Sequence, residues 1–197
     1  TTGGALIAWS ADGNTGGLAD DEFEVYGQLV DQNGVETGPN DMRLSDMGPD
    51  GRPEFDALDP AVAWDASVNQ YLVLWSGTDD AAPLADSESE IYAQRVTSGG
   101  AEIGVNDRRV SVMGPDGDAS FTAENPAVAA SGGQPSFLTV WDGSDSSGAQ
   151  VAGENEIYAR VAGIDPSAPS PPTIAGADPA WRNLASVSLT GQASTDP

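Results

Sequence analysis

Apolar residues occur in short runs that alternate from side to side of an extended chain. In the run YLVLW, at residues 71–75, Tyr71, Val73 and Trp75 fall on one side and Leu72 and Leu74 on the other. Because both sides are apolar, the pattern predicts a strand buried on both faces. Three more strands are predicted around it, PAVAW at 60–64, EIYAQRV at 90–96 and IGVNDRRVS at 103–111, joined by polar turns.

The whole pattern recurs every 66 residues. Four sets of residues keep this spacing, namely Trp9, Trp75 and Trp141; Tyr26, Tyr92 and Tyr158; Glu22, Glu88 and Glu154; and Glu24, Glu90 and Glu156. A fixed period over so many positions is an internal repeat. Four antiparallel strands per repeat predict an all-β fold, a β-propeller-like array of four-stranded blades. A β-sandwich and an open stack of sheets remain as alternatives.

The repeats occupy residues 1–163 and amount to about two and a half copies. The first copy lacks its PAVA strand and the third lacks its fourth strand, whereas closed propellers typically need about four to eight blades. We therefore expect self-association, or neighbouring repeats in a larger parent chain. Residues 164–179 are rich in proline and predict a linker. Residues 180–197 predict the start of a further domain or an extended tail.

Charge narrows the range of partners. The chain of 197 residues has 31 acidic and seven basic residues, all seven of them arginine, and a formal net charge of −24. Such a surface repels nucleic acid and anionic lipid and attracts divalent cations or basic partners. No run approaches the roughly 18 apolar residues of a membrane span. We expect no nucleic-acid partner and no membrane insertion.

The chain has no histidine, cysteine or lysine, which leaves carboxylates as the chemistry for any enzyme. The loop glutamates occupy equivalent positions in each repeat and should therefore have similar environments. A catalytic pair of carboxylates needs two different environments. We therefore predict that the protein is not an enzyme. A carboxylate-dependent glycan-processing enzyme and a carbohydrate-binding, lectin-like propeller are the alternatives.

The acidic loops are candidates for Ca²⁺ binding, because Ca²⁺ takes six to eight oxygen ligands in flexible geometry. The candidate ligands are Asp12, Asp20, Asp21, Glu22 and Glu24 in the first copy, Asp79, Asp80, Asp86, Glu88 and Glu90 in the second, and Asp145, Glu154 and Glu156 in the third. The GPDG turns could add Asp46, Asp50 and Asp116. The alternative is that these charges are solvated, or paired with arginines across blades.

The repeats resemble a family of bacterial and archaeal secreted repeat proteins. The shared motifs are YLVVW, EIYGQR, RIS, DMGPDG and NPAVA, which correspond here to residues 71–75, 90–95, 43–45, 46–51 and 125–129. The resemblance implies a secreted or cell-surface, propeller-like array and brings no catalytic residues with it. On this basis the expected function is that of an extracellular structural or adhesive module, stabilised by Ca²⁺ and self-associating, with a glycan or cell-surface partner.

The last residues resemble the opening of a PKD-type immunoglobulin-like domain. Val187, Leu189 and Gly191 match its pattern, as does the run from Ala193 to Pro197 at all but one position. This short resemblance implies a larger multidomain extracellular parent.

Overall fold

The computed structural model describes residues 3–14, 16–132, 135–145 and 154–163. The strands in this part of the chain are β1 (Ala5–Asp12), β2 (Phe23–Val30), β3 (Glu36–Arg43), β4 (Ala57–Asp65), β5 (Gln70–Gly77), β6 (Glu90–Thr97), β7 (Glu102–Arg109), β8 (Ala123–Ala130), β9 (Ser136–Gly143) and β10 (Glu156–Gly163). The described residues contain no helix with the length and hydrophobicity to cross a membrane. The predicted linker at 164–179 and tail at 180–197 lie outside them.

The strands form three antiparallel sheets. The second sheet has the order β4-β5-β6-β7, while the first contains β1-β2-β3 and the third β8-β9-β10. The all-β class and the predicted four-stranded meander are therefore confirmed. By the 66-residue spacing, the first sheet has no described counterpart of β4 and the third has none of β7. None of the three sheets closes on itself.

Alternation along β5 and β6 gives the second sheet two apolar faces. We call the side bearing Tyr71, Val73, Trp75 and Tyr92 the aromatic face. The opposite side, the aliphatic face, bears Leu72, Leu74, Ile91 and Ala93. All eight residues are buried, as the alternation predicts.

Each face of the second sheet packs against a different neighbour. Its aromatic face meets Leu6, Val25 and Leu29, on the aliphatic face of the first sheet. Its aliphatic face meets Phe137, Trp141 and Tyr158, on the aromatic face of the third sheet. The two interfaces are equivalent, because their residues are related by the same spacing. One kind of contact, aliphatic face against aromatic face, therefore joins all three sheets.

The outer faces of the end sheets lack this cover among the described residues. On the first sheet, Ile7 is 51% exposed and Trp9 and Tyr26 are half-buried, with their rings stacked at 6.3 Å. On the third sheet, Leu138 is 42% exposed and Ile157 58%. Trp9 is therefore less buried than its repeat equivalents Trp75 and Trp141. Its side chain points to the side of the first sheet that no described sheet covers.

The GPDG turns are anchored by the phenylalanines that follow them. Gly48 has φ of 60°, and a Cβ there would lie 2.4 Å from a ring carbon of Phe55. Phe55 is buried in the core between the first two sheets. Gly114 and Phe121 repeat this contact in the second copy. Phe55 and Phe121 therefore hold the two turns against the core.

Candidate functional site

A cluster of buried charge lies where the acidic loop of the second repeat meets its GPDG turn. Glu88 precedes β6 and Glu90 begins it, so the two side chains lie on the same side of the strand. Both carboxylates are fully buried. Arg109, at the end of β7, and Asp116, in the GPDG turn, complete a cluster that we call the Glu88 cluster. The acidic loop and the GPDG turn thus lie at the same end of the sheet.

Glu90 is held by donors to both of its oxygens. Its Oε1 accepts from Arg109 Nη2 and, at 2.8 Å, from the Met113 backbone N–H. Its Oε2 accepts from the Ser111 hydroxyl, whose oxygen accepts in turn from the Ile91 N–H at 2.6 Å. This charge is therefore neutralised by an arginine and fixed by neutral donors, which is what a buried carboxylate needs.

Glu88 is held on one side only. Its Oε2 accepts from the backbone N–H groups of Ala85 at 3.1 Å and Gly117 at 2.7 Å, which ties the acidic loop to the GPDG turn. Its Oε1 is buried without a hydrogen bond. The distance from this oxygen to Arg109 Nη2 is 3.9 Å. Arg109 itself donates to Asp116 Oδ1 at 2.7 Å.

The first repeat builds the same arrangement. Glu24 Oε1 accepts from Arg43 Nη2 at 2.5 Å and its Oε2 from the Ser45 hydroxyl. Glu22 Oε2 accepts from the N–H groups of Ala19 at 2.7 Å and Gly51 at 2.9 Å, and Glu22 Oε1 again lacks a hydrogen bond. Because the same contacts recur in two repeats, they are a regular feature of the repeat structure.

The arginines pair with carboxylates of their own sheet. Arg43 and Glu24 lie on the adjacent strands β3 and β2, as Arg109 and Glu90 lie on β7 and β6. The expectation of an ion pair between blades is wrong for both, because the antiparallel register already brings strand ends together. Arg160 donates from Nη1 to the Val110 carbonyl at 2.7 Å, between the third and second sheets.

The remaining predicted metal ligands of the acidic loops are less buried than these glutamates. Asp20, Asp21, Asp80, Asp86 and Glu154 are exposed, while Asp12, Asp79, Asp145 and Glu156 are half-buried. Asp12 Oδ2 accepts from the Asp21 N–H at 3.2 Å, and Asp20 Oδ1 accepts from the Asn14 side chain at 3.0 Å. Asp79 Oδ1 accepts from the Ala81 N–H at 3.3 Å. These contacts cap loops locally.

Burial has the largest effect on the pKa of each arginine-paired glutamate, Glu24 and Glu90. It raises the pKa of Glu24 and of Glu90, against the opposing effects of the serine hydroxyls, the arginines and the backbone N–H groups. Burial lowers the pKa of Arg43 and of Arg109, but hydrogen bonds and charge attraction from the carboxylates outweigh it, so the pKa of each arginine is raised. The arginines therefore stay charged at neutral pH.

Asp107 is a charged group that the sequence did not single out. It lies on β7 beside a register shift in the pairing with β6, with φ of 48°, and its Oδ1 accepts from the Asp46 N–H at 3.2 Å. This bond joins the first repeat to the second. Burial raises the pKa of Asp107 from 3.8 to about 7. The aspartate at the equivalent position of the first repeat, Asp41, is the sequence signal that could have marked it.

We expect Asp107→Asn to stabilise the protein near neutral pH. A carboxyl whose pKa is higher when folded binds more protons folded than unfolded, so its contribution to stability improves as pH falls from about 7 towards 3.8. Asparagine can keep the bond to Asp46 and removes the charge. Allowing for partial exposure, the free energy of unfolding should rise by about 1 to 2 kcal/mol at pH 7.5 and hardly change at pH 4.

Urea unfolding at several pH values measures this difference. Asp41→Asn, at the equivalent and exposed position of the first repeat, also with positive φ, is the control and should leave the profile unchanged. Equal stability of Asp107→Asn and the wild type at pH 7.5 would show that the Asp107 carboxylate is well solvated in the folded state.

Comparison of the chain with protein-family models, with curated proteins and with solved structures finds no match.

Proposed function

We propose that this protein is a non-enzymatic, extracellular structural module whose propeller-like repeats stack face to face, and that it associates head to tail through its outer sheets. The observation that carries the proposal is the second sheet, which is covered on both faces by neighbouring repeats. A repeat of this kind presents two unlike apolar surfaces, and each fits the opposite surface of the next repeat.

Within the described part of the chain, the end sheets present one open surface of each kind. The first sheet has an open aromatic face at Ile7, Trp9 and Tyr26, and the third an open aliphatic face at Leu138, Ile157 and Val161. By the repeat spacing, Leu138 and Ile157 correspond to Leu72 and Ile91, which are buried in the second sheet. Exposed apolar surface that is buried in an equivalent repeat indicates an interface. The third sheet of one copy should therefore dock on the first sheet of another.

Such an interface is heterologous, since two different patches meet. It closes into a ring or continues as a filament, depending on the rotation between copies. A closed ring would complete a propeller, and an open stack would give an extended adhesive array. Packing of β4 against β8 supports the propeller-like arrangement, because these are the first strands of successive repeats and such strands adjoin around the axis of a propeller.

Two blocking variants test the head-to-tail arrangement. Ile7→Arg removes the open aromatic face and Leu138→Asp the open aliphatic face. We expect wild-type mass in light scattering to rise above 20.1 kDa at micromolar concentration, and each variant alone to stay monomeric. When mixed, the two variants should form a one-to-one dimer that grows no further, because each retains the face that the other lacks.

Val105→Asp is the matched control, since Val105 is exposed on β7 and belongs to neither open face. It should associate like the wild type. A wild type that stays at monomer mass up to about 100 μM would refute association, as this lies well above the dissociation constants of most specific complexes. A mixture of the blocking variants that stays monomeric beside an associating wild type would refute the head-to-tail geometry.

A further inference from the structure

The Glu88 cluster concentrates more negative charge than its arginine neutralises. One oxygen from each of Glu88, Glu90 and Asp116 lies within 4.8 Å of the others, and in the described part of the chain no other group of three carboxylates does so. Arg109 adds one positive charge. The four groups together carry a formal charge of −2, which one divalent cation would balance.

An unpartnered oxygen points into this cluster. Glu88 Oε1 belongs to a fully buried carboxylate and has no hydrogen bond, and the nearest cationic atom, Arg109 Nη2, is 3.9 Å away. A buried carboxylate oxygen without a close donor is costly, and native proteins rarely leave one. Glu22 Oε1 also lacks a hydrogen bond, but among the described residues only Glu88 combines this feature with membership of a three-carboxylate group, and the combination indicates a ligand beyond the protein's own donors.

The other oxygens define how a cation would be held. Both oxygens of Glu90 already accept hydrogen bonds, so Glu90 contributes mainly charge. The side chain of Asp116 is 33% exposed, which gives an ion a route of entry and leaves room for water ligands. An irregular site of few carboxylates plus water suits Ca²⁺, which tolerates flexible geometry, better than Mg²⁺, which requires a regular octahedron.

We propose that the Glu88 cluster binds one Ca²⁺ ion, with Glu88 Oε1 and Asp116 as ligands and Glu90 as a supporting charge. The ion would bridge the acidic loop to the GPDG turn, alongside the bond from the Gly117 N–H to Glu88. This Ca²⁺ site is separate from the proposed stacking of copies, because it lies within one repeat and needs no second copy of the chain.

Glu88→Gln is the decisive variant. Its side-chain carbonyl can keep the bonds from Ala85 and Gly117, while an amide replaces the unpartnered oxygen. In chelator-treated wild type, Ca²⁺ at a hundredfold excess over its dissociation constant should raise the melting temperature by about 5 to 10 °C. Glu88→Gln should lose this rise, and in chelator it should melt above the wild type. Asp116→Asn should weaken Ca²⁺ binding in calorimetry by roughly tenfold or more.

Glu22→Gln is the matched control, because Glu22 has the same backbone partners in the first repeat but lies outside the three-carboxylate group. It should keep the rise in melting temperature. An undiminished rise in Glu88→Gln would overturn the proposal and show diffuse attraction to surface acids, as would an equal rise with Mg²⁺. No rise in the wild type would also overturn it. Making every measurement in the Leu138→Asp background separates this outcome from any failure of stacking.

Discussion

Trp75→Ala should lower the free energy of unfolding by about 3 to 5 kcal/mol, the range for truncating a large aromatic side chain in a packed interior. Trp75 is fully buried between the first and second sheets, and its indole N–H lies 3.4 Å from the Met47 sulfur. Removing the ring leaves a cavity that two β-sheets, each held by its own strand pairing, cannot collapse to fill. Urea denaturation of the monomeric Leu138→Asp background measures the loss.

The repeat supplies the controls for this substitution. Trp141→Ala should cost nearly as much as Trp75→Ala, because Trp141 is 4% exposed in the equivalent interface. Trp9→Ala should cost much less, about 1 kcal/mol, since Trp9 is half-buried on the open aromatic face of the first sheet. If Trp9→Ala were as costly as Trp75→Ala in the monomer, another part of the chain would have to cover that face.

The strands could be predicted from sequence because alternation and repetition agree. The run from Tyr71 to Trp75 shows both faces of a strand at once, and the 66-residue spacing transfers each strand to its copies. The exposure of a side chain could not be predicted from the repeat spacing. Trp9 and Trp75 occupy equivalent positions, but the burial of each depends on whether another sheet packs against its own, which the repeat spacing does not specify.

The site could be predicted only in part. The sequence shows that Glu22 is repeated as Glu88 and Glu24 as Glu90. Crowded carboxylates need positive partners, so ion pairs are also expected. The complete burial of these glutamates could not be predicted, because nothing in so acidic a sequence distinguishes buried from exposed acidic residues. Arg43 and Arg109 keep the same spacing, and each is followed two residues later by a serine, Ser45 or Ser111. In an antiparallel meander the end of the fourth strand lies beside the start of the third, so the sequence could have predicted that these arginines pair with the glutamates.

Arg109→Met should be as damaging as the loss of Trp75. Its guanidinium is the cation that contacts both Glu90 and Asp116. Methionine preserves much of the stem's volume but leaves the fully buried Glu90 without its counter-charge. Breaking a buried pair from one side typically costs about 3 to 5 kcal/mol, because the remaining charge is uncompensated. We expect that loss at pH 7.5 in urea denaturation with chelator present.

The pH dependence separates lost charge pairing from lost packing. Without Arg109, the pKa of Glu90 in the folded protein should rise further, so the variant should recover stability as pH falls from 7.5 towards 5. A packing defect would not recover. Adding Glu90→Gln should restore part of the loss by removing the unpaired charge. Arg108→Met, at the exposed neighbouring position, controls for the change in net charge and should cost under about 1 kcal/mol. A loss that small at Arg109 itself would mean that the serine hydroxyl and backbone N–H donors alone sustain the buried carboxylate, and that the arginine is a surface ion pair.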